Sequence, residues 1–294
     1  MSFDLLIICT HQNIVEFGSL HSSTPDVTIT LDINETTYID QLKHAIYDYL
    51  KKVKMSNMDN ISGNDVLNLG VLYTEGIMFS LSERKEIYRL IISYFKFRFI
   101  EFIPNPLLYC FGNKISNAII IDIEYDMIIG TPIYEYILLD EYISVSTRSI
   151  QDIAGRNQKA VCTILFGDDN NNTNNDNNKS SYHNCNYESN DQSICMIVAK
   201  LQRVLPIDIR KTLTQNVVLN GYYKTLLLDY SQHIDISFNV NSKLDKSLWS
   251  CSLIYGMHLM ENKCLSNDFQ PLGSYSTNRN LEALDWYQTN YISK

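Results

Sequence analysis

The chain has 294 residues, enough for two cores, and a formal net charge of -9 with no Lys/Arg cluster. That balance excludes nucleic acid and anionic membrane as main partners. Its seven cysteines are odd in number and form no CxxC pair; several lie inside apolar runs and read as reduced, mostly buried thiols of a cytosolic protein. Residues 1–9 lack a basic start, and no apolar run approaches the roughly 20 residues of a bilayer span, so neither secretory signal nor membrane helix is expected.

In chain order, the apolar run Asp4 to Thr10 predicts a buried strand, the turn His11-Gln12-Asn13 follows, and Ile14 to Gly18 leads away from it. From Asp32 to Lys54, Ile39, Leu42, Ala45, Ile46, Tyr49, Leu50 and Val53 recur at three-and-four spacing, which predicts an amphipathic helix. Its opposite face, Asp40, Lys43, Asp48, Lys51 and Lys52, reads as solvated. A polar loop over Ser56 to Asp65 separates it from a strand over Val66 to Glu75. Ser80-x-x-Glu83 is a capping box opening a helix through Ile87, Leu90, Ile91, Tyr94 and Phe95. A strand over Phe97 to Ile103 and a short helix over Pro104 to Cys110 complete this half.

The segment Asn117 to Tyr136 organises the rest. Ala118 to Ile123 is apolar except for Asp122, and its isoleucines favour a buried strand. Glu124-Tyr125-Asp126 reads as a turn, and Met127 to Ile129 starts the returning strand. Asp122 is then either a turn carboxylate at the hairpin tip or a functional acid. Residues 168–192 are rich in Asn, Asp and Ser and predict a disordered loop. His183, Cys185 and Cys195 lie in or beside it, but without paired spacing they argue against a metal site. Ser193 to Val204 is helical in period.

Three stretches in this order resemble the actin and actin-related proteins. Asn117-Ala-Ile-Ile-Ile-Asp-Ile, with Pro132-Ile133-Tyr134-Glu135 after the turn, is similar to the second phosphate-binding hairpin of that family. Leu205-Pro206-Ile207-Asp208-Ile209-Arg210-Lys211, then Asn216 to Gly221, resemble the approach to its adenosine loop. Leu248-Trp249, opening an apolar segment to Met260, resembles the region before its C-terminal helices. The resemblance implies a duplicated α/β fold, actin-like and ribonuclease H-like, with two halves around a cleft and reduced outer subdomains. It places a first half at 1–113, a second at 114–248, and a C-terminal segment, 249–294, returning to the first.

The family pattern also bears on the pocket. Thr10 stands where the family has an acidic residue, no glycine precedes Gly18, and Glu16 falls at the position of a phosphate-binding lysine. The first phosphate loop is thus expected to be absent in chemistry and retained as backbone. In the second hairpin Asp122 is kept, but Glu124 replaces a glycine that must face phosphate. A carboxylate about 4 Å from one phosphate charge is repelled by roughly 4 kcal/mol at an effective dielectric near 20. That weakens binding by about three orders of magnitude. Gly221 is kept, Tyr222 and Tyr223 replace Gly and Thr, and Ile129 replaces the histidine that orders the attacking water. No catalytic residue and no cofactor are expected, with residual ATP or ADP binding left open.

The stretch from Pro132 to Pro206 is short for an actin, as is the segment before the first helix, whereas the surfaces that would face the barbed end are recognisable. This profile, together with Leu284-Asp285-Trp286-Tyr287, looks most like the fungal pointed-end group of dynactin. What that resemblance implies is a capping protein, cytoplasmic and cytoskeletal, with the dynactin actin-related filament protein and other dynactin subunits as partners. Tyr134, Glu135, Ile207, Asp208, Arg210 and Lys211 would form the contact, although Asp208 and Arg210 can instead pair with each other and Tyr134 can be core. Two other readings remain: a nucleotide-binding actin-like ATPase, and a nuclear actin-related subunit of a chromatin-modifying complex.

Overall fold

The structure, a computed structural model, describes residues 4–11, 13–32, 37–52, 67–124, 127–147, 161, 165, 193–221, 227–229, 240–241 and 246–264. The Asn-rich tract, His183, Cys185, Tyr125, Asp126, Tyr222, Tyr223 and the segment after Cys264 lie outside these residues. The chain divides into two compact units: one runs to Lys114 and resumes at Lys246, and the other spans Ile115–Asp245.

The first unit is built on a five-stranded sheet of β1 (Asp4–His11), β2 (Ile14–Ser19), β3 (Val27–Thr30), β4 (Leu67–Glu75) and β5 (Phe97–Pro104), in the order β3-β2-β1-β4-β5. β1 pairs antiparallel with β2 and parallel with β4. Leu6, Ile8, Val15, Phe17, Val71 and Tyr73 face one core, closed by α1 (Tyr38–Lys52), which contributes Leu42, Ile46, Tyr49 and Leu50. Each such buried side chain contributes roughly 1.5–3 kcal/mol. Leu5, Ile7, Cys9 and Leu72 face a second core, closed by α3 (Asn105–Gly112) and α6 (Leu248–Cys264). The alternation along β1 thus feeds both faces, which is why it reads as a continuous apolar run.

α1 starts later than the predicted Asp32. Thr37 caps it, its hydroxyl accepting from the Asp40 N–H, while the Asp32 N–H donates to Gln41 Oε1 at 2.7 Å. Periodicity cannot see this local competition between side chain and backbone. The capping box at Ser80 is present in both directions and opens α2 (Leu81–Tyr88), which continues as a π-helical turn over Arg89–Tyr94. Trp249 of α6 lies against Gly18, where a Cβ would stand 2.6 Å from the indole; its Nε1 donates to the Ser22 carbonyl.

The second unit holds β6 (Ala118–Ile123), β7 (Ile128–Tyr134), β8 (Ile137–Leu138), β9 (Ser144–Ser146) and β10 (Val217–Gly221). β6 pairs antiparallel with β7 and parallel with β10, β7 also pairs with β8 and β9, and Val217 bridges in parallel to Val240. α4 (Ile194–Val204), capped by Ser193, and α5 (Ile207–Thr214) cover this sheet through Ile194, Ile197, Val198, Leu201 and Leu213. Among the described residues Cys9, Cys110 and Cys251 are buried, and Cys195 is half-buried.

Candidate functional site

In the first unit the position expected to approach phosphate is closed on itself. β1 and β2 pair out to His11↔Ile14, which leaves only 12–13 as the connection. β1 and β2 are thus joined as a hairpin here, and no glycine precedes Gly18 to bring bare amides toward an anion. The buried Thr10 hydroxyl donates to the Thr74 carbonyl, and the Thr10 N–H donates back to Thr74 Oγ1 at 3.2 Å. Glu16 is half-buried, and burial raises its carboxyl above the usual range.

Asn105 joins this cluster, its Nδ2 donating to the Thr10 carbonyl at 2.9 Å, while its buried Oδ1 has no partner among the described residues. Sequence reasoning missed it, although an Asn between two prolines in an apolar stretch was a signal. Nearby, Glu75 and Arg84 form a buried, bidentate ion pair at 2.7 and 3.0 Å. Burial lifts the Glu75 carboxyl to about 7 despite the opposing guanidinium.

In the second unit Asp122 is neither a turn residue nor an open acid. It lies within β6, only 5% exposed, directly across from Ile129 on β7 and Asn220 on β10. Asn220 Nδ2 donates to its Oδ1 at 2.6 Å, yet burial dominates and pushes the carboxyl up to about 6. The turn beyond it closes through the Glu124 N–H donating to the Met127 carbonyl at 2.8 Å. Ile129 is fully buried and offers only alkyl surface toward Asp122. Gly221 has φ +91°, and a Cβ there would meet the Ile123 carbonyl oxygen at 2.3 Å. Strand packing alone therefore requires this glycine.

The residues expected to bind protein fall into two groups. On α5, Ile207 is 78% exposed and Asp208 and Lys211 are exposed beside it. Arg210 differs: its guanidinium donates to the carbonyls of Leu205 at 2.7 Å and Arg203 at 3.0 Å, tying α5 to the end of α4. Among the described residues no ion pair joins it to Asp208. The other group is the β7–β8 hairpin, where Tyr134 is half-buried against the core, Glu135 is exposed and Ile137 is 50% exposed. Glu135 and Tyr136 have φ of 50° and 59°, a left-handed conformation costing roughly 1–2 kcal/mol per residue without glycine. Among the described residues no group of acids, His and Cys is placed to hold a metal ion, and no helix is long and apolar enough to cross a membrane.

Two mixed sheets, each with a central strand flanked by one antiparallel and one parallel neighbour and covered by helices, define an α/β protein consistent with the actin-like fold. No protein-family profile matches the chain. It is similar to Actin-like protein ARP10 of Saccharomyces cerevisiae, 25% identical over 225 residues that cover 74% of this chain and 72% of that protein. The resemblance to the actin-related proteins therefore extends well beyond the three motif stretches.

Proposed function

We propose that this chain is a non-catalytic actin-related protein, with a duplicated fold, that binds and caps the pointed end of the dynactin actin-related filament. It thereby serves dynein-driven movement on microtubules in the cytoplasm. The observation that carries the binding role is Ile207, an isoleucine left 78% exposed at the head of α5 and flanked by exposed Asp208 and Lys211. It belongs to a stretch whose sequence follows the actin pattern, and the resemblance puts that stretch on the surface that would face the filament. Capping is supported by length. β3 ends at Thr30 and α1 begins at Tyr38, so the connection 31–37 stands where an actin carries an outer subdomain. A subunit that keeps one binding end and trims the other joins a filament tip and offers the next subunit little.

The absence of turnover is supported by three features: Thr10 bonded to Thr74, Asp122 bonded to Asn220, and Glu124 in the place of a phosphate-facing glycine. The binding test is capture of the full chain by the dynactin filament protein. Ile207→Asp with Asp208→Lys is expected to weaken capture at least about tenfold, as loss of a central apolar contact does. Both side chains are exposed, so this pair tests the contact better than Arg210, whose loss would loosen α4 from α5. Undiminished capture by the double variant would overturn the reading.

A further inference from the structure

We propose that Asn117 is a positioning residue for the partner contact: it holds the Glu135–Tyr136 turn in the left-handed form in which that turn meets the filament subunit. The claim rests on the filament-end reading above. Tyr134↔Ile137 is the last pair of the β7–β8 hairpin, so Glu135 and Tyr136 form a two-residue loop with both φ values positive. Such loops favour Asn-Gly or Asp-Gly, because a Cβ disfavours this conformation. Here neither residue is glycine, so the turn does not hold its shape by its own preference. Strain of this kind persists where surrounding structure over-determines it, commonly at contact and binding sites.

The restraint is a run of asparagines. Asn117 Oδ1 accepts the Glu135 N–H at 2.8 Å, and the Ser116 carbonyl accepts the Tyr136 N–H at 3.0 Å. Asn117 is itself fixed, its carbonyl accepting from Asn216 Nδ2 at 2.7 Å and its Nδ2 donating to Ser116 Oγ at 3.0 Å. Asn216 is held in turn by the Ile119 N–H on its carbonyl and by Asn241 Nδ2 on its Oδ1 at 2.8 Å. Anchored next to β6 and β10, the asparagines fix the turn from the rigid side of the sheet. Exposed Glu135 and half-exposed Ile137 are thereby presented in one arrangement. None of the three side chains is deeply buried, so they shape the turn more than they stabilise the unit.

The test uses the full chain and two readouts: hydrogen exchange at the Glu135 and Tyr136 amides, and capture by the filament protein. Asn117→Ala is expected to speed that exchange and weaken capture about tenfold each, with the melting temperature nearly unchanged. Asn117→Asp keeps the acceptor and should retain both. In a chain that also carries Tyr136→Gly, which adopts the left-handed form unaided, Asn117→Ala should change capture no more than about twofold. Unchanged exchange in Asn117→Ala overturns the restraint. Faster exchange with full capture overturns the positioning role, as does an undiminished effect in the Tyr136→Gly background. If the unsubstituted chain is not captured at all, the filament-end reading fails and the positioning role with it, while exchange still reports whether Asn117 restrains the turn.

Discussion

The β1–β2 and β6–β7 hairpins occupy matching places in their sheets and have been closed in opposite ways. In the first, the position in question holds a neutral Thr10 whose hydroxyl and amide are both bonded to Thr74. In the second, the carboxylate of Asp122 stayed and was enclosed within the sheet, with Asn220 as its donor and a carboxyl pushed up to about 6. At the compared position one hairpin has a neutral, hydrogen-bonded side chain, whereas the other has a carboxylate that carries the desolvation. A residue that matches a family pattern is therefore not by itself a working group, since burial decides what a carboxylate can do.

Substitutions that exchange these two solutions should sharpen or break the contrast. The largest effect is expected from Thr10→Asp, which replaces a hydroxyl that donates to the Thr74 carbonyl by a buried carboxylate facing that carbonyl. It should destabilise the first unit by roughly 3–5 kcal/mol in denaturant unfolding. Asp122→Asn should do the reverse in the second unit. The folded carboxyl titrates near 6 against an ordinary 3.8, so the folded chain holds a proton that the unfolded chain has already released. Stability from this group is present below about pH 4 and lost as pH rises through 6, and at pH 7 the Asn variant should be more stable by about 3 kcal/mol. The gain should vanish at pH 4; a pH-independent difference would refute the buried-charge account.

Asn220→Ala removes the donor that partly offsets that burial. It should cost about 2 kcal/mol at neutral pH and raise the Asp122 pKa further, readable by NMR titration. Smallest of all, Glu16→Lys restores the family's charge at a half-buried position and should change stability by less than about 1 kcal/mol.

Sequence reasoning recovered the strand and helix order well because β1, β6 and α1 carry strong periodic or continuous apolar signals. The bonding of Thr10 to Thr74 was not legible, since the two residues meet only through the parallel pairing of β1 with β4. Asp122 was ambiguous for a related reason: its partner Asn220 lies far away in sequence and meets it only through the parallel pairing of β6 with β10. For Arg210 the sequence left a partner contact or a pairing with Asp208, yet its bonds go to the end of α4, a contact that only the connection through Pro206 creates. The left-handed Glu135–Tyr136 turn had no signal at all, because neither residue prefers it.

The most direct test of the central claim is calorimetric titration of Mg-ATP into the purified full chain. On the non-catalytic reading proposed above, Glu124 and the enclosed Asp122 disfavour a triphosphate, and that reading predicts no saturable heat at nucleotide concentrations up to about 1 mM. Saturable binding at or below about 10 μM, with any release of phosphate, would contradict it.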